Sequence, residues 1–124
     1  MLKTYHFNSV LYLPKRYPLN LNHYRNAHYR VNHKAKVEFA KQMIPMVQDL
    51  PQLDKIKLTY VVYFAQKRGD VANVGSIADK FFCDALVEAK KITDDDYKHI
   101  PEVTYKYGGI SKPPRIEVII EQLD

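Results

Sequence analysis

With one cysteine, Cys83, the chain cannot close an internal disulfide or build a cysteine-based zinc site, and this agrees with a reducing compartment. Long hydrophobic runs are also missing. The longest are far too short to span a bilayer, and Met1-Leu2-Lys3-Thr4-Tyr5-His6 lacks the apolar core of a signal peptide. The expectation is a soluble, cytoplasmic protein with no membrane partner. Internal repeats and low-complexity stretches are absent, and 124 residues suffice for one modest core and no more, so residues 1–124 read as a single domain. The last shortage is of acid at the N-terminal end. No Asp or Glu precedes Glu38, while Lys3, Lys15, Arg16, Arg25, Arg30, Lys34 and Lys36 give that segment a charge of +7, against +5 for the whole chain. The carboxylates concentrate instead between Asp70 and Glu102, where Asp79, Asp84, Glu88, Asp94, Asp95 and Asp96 also fall. A basic region beside an acidic cluster suits a protein that attracts a polyanion and holds a cation, although segregated surface charge gives the same pattern.

Hydrophobic periodicity supplies the elements. Tyr5 to Leu13 has strand composition and stops at Pro14. Residues 14–33 are rich in Pro, Asn, Tyr and Arg without clear period and read as a long basic loop or arm. Val37, Ala40, Ile44 and Val47 make a helical stripe that Pro45 should end or kink. Lys55 to Phe64 alternates Ile56, Leu58, Tyr60, Val62 and Phe64 on one face, the clearest strand. Val74, Ile77, Ala78, Phe81, Phe82, Ala85, Leu86 and Ala89 then follow helical spacing. Val103 to Tyr107 and Arg115 to Glu121 are two more strands, most simply an antiparallel hairpin. The expected fold is α+β, in the order β-α-β-α-β-β, with two helices packed on one mixed sheet.

Chemistry-bearing residues cluster around the second helix. Asp70 precedes it, Ser76, Asp79, Lys80 and Cys83 lie on a side opposite its apolar stripe, and Asp94-Asp95-Asp96 closes the turn after it. Two readings are open for these carboxylates: ligands of a hard divalent cation that activates water toward a phosphodiester, or caps of a helix start and a turn. Lys80 and Asp84, at i and i+4, form a surface pair, or Lys80 stabilises developing charge. His23, His28 and His33 repeat every five residues, a spacing that aligns side chains on neither a helix nor a strand and so does not suit a zinc site, and Cys83 reads as a buried structural thiol. Tyr12, Tyr17, Tyr24 and Tyr29 interleave with Lys15, Arg16, Arg25 and Arg30, a mixture able to stack on bases and contact phosphates.

In order, Leu13-Pro14, Pro18 to Tyr24, Arg68-Gly69-Asp70, Lys80, Asp84-Ala85-Leu86 and Ile92-Thr93-Asp94-Asp95 resemble the RusA family of Holliday-junction resolvases, small dimeric endodeoxyribonucleases often carried by phages. The resemblance implies a Mg²⁺-dependent enzyme, with Mn²⁺ as a substitute, that hydrolyses phosphodiesters near the crossover of four-way and other branched DNA as a homodimer. It implies Asp70 and Asp95 as metal ligands and Lys80 as an active-site residue. The family's Asp-x-Asp-Asn element is here Asp70-Val71-Ala72-Asn73, so Ala72 stands where a carboxylate is expected. Asp79 is the candidate replacement, giving Asp70, Asp79, Lys80 and Asp95 as the catalytic set and the three Asp as the metal set. Lys15, Arg16, Tyr24, Arg25, Arg30, Lys67 and Arg68 are the expected DNA contacts. The rival expectation is a DNA-binding or protein-binding module that kept the fold and lost the chemistry through Ala72.

Overall fold

Nine elements are laid out along the computed structural model, which describes residues 1–123. In chain order they are β1 (Leu2–Asn8), β2 (Val10–Tyr12), β3 (Arg16–Pro18), α1 (Leu21–Asn26), α2 (Tyr29–Val47), β4 (Ile56–Phe64), α3 (Val71–Glu88), β5 (Glu102–Ile110) and β6 (Arg115–Gln122). The main sheet has the order β1-β6-β4-β5, with β4 and β5 parallel and the other neighbours antiparallel. β2 and β3 pair separately as a small antiparallel ribbon. The architecture is the expected α+β class. None of the described helices is long and apolar enough to cross a membrane.

Alternation on the two central strands creates the core. Ile56, Leu58, Tyr60 and Val62 of β4 and Ile116, Val118 and Ile120 of β6 are all buried. Both long helices cover that face. Phe7 of β1 meets Phe39 of α2 edge-on with ring centroids 5.0 Å apart, and Tyr60 meets Phe82 of α3 edge-on at 6.3 Å. On the next face of α3, Phe81 packs against Tyr17, Tyr24 and Phe39. α3 is therefore enclosed between the sheet and the α1/α2 pair, and is apolar around most of its circumference for that reason.

Four expectations change. The single strand expected over Tyr5 to Leu13 is instead β1 and β2, which belong to different sheets. The last two strands are not a hairpin: β6 inserts between β1 and β4, while β5 lies at the sheet edge. The chain crosses the end of β4, where the Ser111 amide donates to the Phe64 carbonyl at 2.9 Å. Composition explains the choice, since β6 buries three aliphatic side chains and β5 exposes Glu102, Lys106 and Tyr107. Residues 14–33 are not a loop but hold β3, α1 and the first turn of α2. Buried Tyr17 and Leu19 anchor that segment, and the Asn20 side chain caps α1 by accepting from the His23 amide at 2.7 Å. Finally, α2 starts at Tyr29 and carries Pro45 in its last turn, ending two residues later.

Candidate functional site

Asp79 sits midway along α3, where that helix crosses the sheet. The crossing is close because Gly75, one turn earlier, leaves room for the Tyr105 ring of β5: a Cβ there would lie 2.6 Å from it. The side chain of Asp79 consequently turns toward the sheet rather than to solvent, correcting the expectation of a face opposite the apolar stripe. The Tyr60 hydroxyl donates to Asp79 Oδ1 at 2.8 Å, and the Cys83 thiol donates to the same oxygen at 3.3 Å. The other oxygen, Oδ2, has no protein partner among the described residues and is not buried. Burial raises the Asp79 pKa above the usual carboxylate value; the two donors oppose the rise, and the negative charge of Asp95 adds to it. Burial together with this carboxylate also raises Tyr60, Cys83 and Tyr105.

Asp95 thus lies within electrostatic reach of Asp79, although 16 positions separate them in sequence. Its turn is braced from both sides. Asp94 Oδ1 accepts from the Asp95 amide at 2.8 Å, and Asp96 Oδ1 pairs with His99 Nδ1 at 2.7 Å while His99 Nε2 meets Thr93 Oγ1 at 2.9 Å. The hydroxyl-imidazole-carboxylate order of that relay is local to residues 93–99 and ties the turn together. His99 holds the Asp96 carboxyl below its ordinary pKa.

Asp70 is elsewhere. It is the N-cap of α3, its Oδ1 accepting from the amides of Ala72 at 3.0 Å and Asn73 at 3.3 Å. Nine helical residues put about 13 Å of axial rise between Asp70 and Asp79, whereas two oxygens on one Mg²⁺ approach within roughly 4 Å. Among the described residues no three His, Cys, Asp or Glu side chains form a group able to hold a metal. The expected three-carboxylate convergence is not formed; Asp70 follows the capping reading. Asp79 and Asp95 remain the candidate donors for a hard cation, since Mg²⁺ usually takes one or two carboxylates and fills its remaining positions with water and phosphate oxygens.

Lys80, one residue on and about 100° further round α3, points toward α1, its ammonium 5.8 Å from the centre of the Tyr24 ring. Asp84, expected as its helical partner, instead pairs with Lys36 of α2 at 3.2 Å. The remaining predicted DNA contacts distribute over two places. Arg16 and Arg68 line the largest described cavity, about 590 Å³, together with Asp70, Asn20 and Asn73. Lys67 lies beside this cavity, in a smaller one also lined by Arg68. Arg25 lies in the last turn of α1 and Arg30 in the first turn of α2, both exposed, with Arg30 5.9 Å from the exposed Tyr29 ring. Lys15, exposed, sits at the turn between β2 and β3.

Tyr60, Cys83 and Tyr105 were not legible as site residues. The available signal was Tyr60 at an inward strand position, because a buried tyrosine hydroxyl needs an acceptor. Comparison with protein-family models and with curated proteins gives no match for this chain.

Proposed function

We propose that the chain is a Mg²⁺-dependent endonuclease for branched DNA, acting on Holliday junctions and related forks as a homodimer, as the RusA resemblance implies. The observation that carries the reading is the setting of Asp79: a half-buried carboxylate has one oxygen fixed by Tyr60 and Cys83 and feels the negative charge of Asp95, which a braced turn carries. A carboxylate drawn partly out of water and under the influence of a second negative charge suits a site completed by a cation. Asp79 and Asp95 would hold Mg²⁺, which would supply Lewis acidity and neutralise charge at a phosphodiester. Tyr60 and Cys83 fix the orientation of Asp79, and the relay from Thr93 through His99 to Asp96 fixes the turn that carries Asp95. Arg16 and Arg68 bind the DNA backbone in their shared cavity.

A second reading keeps DNA binding and drops the chemistry, and is favoured by the capping role of Asp70, which takes it out of the expected metal set. Cleavage of a synthetic four-way junction in Mg²⁺ or Mn²⁺ separates the two. The nuclease reading expects cleavage by the wild type and none by Asp79→Asn or Asp95→Asn, with junction binding retained. Specific binding without cleavage by the wild type establishes the second reading. Asp70→Asn is the informative third variant, because Asn caps helices as well as Asp; its cleavage reports whether that carboxylate has any chemical role.

A further inference from the structure

Between α1, α2 and α3 lies a cavity of about 260 Å³ that the carboxylate pair does not use. Its lining combines the aromatic rings of Tyr24, Tyr29 and Phe81 with the cationic or titratable groups of Lys36, Lys80 and His33. Phe81 is 2% exposed and forms the floor, whereas Tyr29 is 69% exposed and stands at the rim. The frame is rigid: Asn32 accepts from the Tyr17 hydroxyl at 2.6 Å and donates to the Tyr24 carbonyl at 2.9 Å, locking α1 onto α2. Lys36 already pairs with Asp84, which leaves the Lys80 ammonium, with no carboxylate partner among the described residues, as the free cation at the Tyr24 ring.

We propose that this cavity binds one unpaired nucleotide of the branched substrate, its base against Tyr24 and Tyr29 and its phosphate at Lys80. The inference rests on the branched-DNA reading and adds a specific subsite to it. Size supports a single ring system, because pockets that enclose a drug-sized ligand begin at about 300 Å³. The chemistry is that of single-strand recognition, in which a base stacks on an aromatic side chain while a cation holds the backbone. A fully paired duplex offers its phosphates but no free base face, so the cavity discriminates unpaired from paired nucleotides. Lys80 accordingly contributes to substrate capture on the side of α3 that faces α1.

The test compares two forked DNA duplexes that differ at one unpaired position at the branch, a thymidine in one and an abasic residue in the other. A fully paired four-way junction serves as the reference ligand. Wild-type protein is expected to bind the thymidine fork at least about fivefold tighter than the abasic fork, the smaller end of the effect of losing a base–aromatic stack. Tyr29→Ala, an exposed position, is expected to erase that difference while four-way-junction affinity changes by less than twofold. Lys80→Gln is expected to weaken both forks alike, since the phosphate remains in each. Equal wild-type affinity for the two forks, with the four-way junction still bound, overturns the subsite alone. Failure to bind any of the three DNAs overturns the branched-DNA reading as well.

Discussion

Asp79 shows how a single residue's setting depends on the elements around it. At about 100° per residue Asp79 lies roughly 60° from Phe82, at the border of the apolar stripe and not opposite it, and assigning it to solvent assumes one buried face. α3 has two, and Tyr60, Cys83 and Tyr105 surround the carboxylate on the second. The identity of the candidate acid was therefore legible and its environment was not. The same limit applies to Asp70, whose cap was visible as an alternative and whose distance from Asp79 follows only once α3 is known to begin at Val71. The environment has a pH signature. The folded-state pKa of Asp79 lies above its unfolded value, so in the window between them the folded chain binds more protons than the unfolded chain and stability falls as pH rises. Asp79→Asn removes the charge and keeps an oxygen to accept from Tyr60. In chelator, the variant is expected to melt above wild type at neutral pH, with the gap closing as pH falls below the ordinary carboxylate value of 3.8. Added Mg²⁺ should raise the melting temperature of the wild type and not of the variant. A gap that stays constant or widens in acid contradicts the burial argument, and equal Mg²⁺ responses contradict the cation site.

At the scale of elements, β4 and α3 were readable because each repeats its own period over many residues, whereas the pairing of β5 and β6 depends on which strand has enough aliphatic surface to be central. Val103 to Tyr107 and Arg115 to Glu121 read as a hairpin because they are neighbours in sequence, and neighbourhood in sequence does not decide pairing. Capping by Asn20 is a local hydrogen bond that leaves no period, which is why α1 was hidden in the basic segment. The close approach of α3 to β5 gives a further expectation. An alanine at position 75 gains roughly 1 kcal/mol over glycine from helix propensity, but its Cβ would lie 2.6 Å from Tyr105 Cδ1 and 2.9 Å from Cγ, near the root of the ring where rotation gives little relief. Overpacking of this kind costs about 1–3 kcal/mol. Gly75→Ala is expected to lose up to about 2 kcal/mol net in urea unfolding, and a stabilised variant refutes the close packing at this crossing.

Over the whole molecule the basic N-terminal third is divided by the fold into spent and available charge. Lys3 pairs with Asp49 at 3.0 Å and Lys36 with Asp84 at 3.2 Å, whereas Lys15, Arg16, Arg25, Arg30 and Lys34 have no carboxylate partner among the described residues. Arg25 and Arg30 flank the short link between α1 and α2, on the same two helices that wall the aromatic cavity, so they can hold the backbone on either side of a nucleotide bound there. Each phosphate contact contributes about 0.7 to 0.9 to the slope of log affinity against log salt, depending on whether the strand is single or paired. Arg25→Ala with Arg30→Ala should therefore weaken binding to a forked DNA and flatten its salt slope by up to about two units, while Lys3→Ala, whose charge is already paired, should leave the slope near that of the wild type. The comparison separates a located contact surface from a general attraction of a cationic protein to DNA, because general attraction predicts that the loss tracks the number of charges removed wherever they lie. An unchanged slope in the double variant, or an equal loss per charge in Lys3→Ala, removes the α1–α2 surface from the DNA interface.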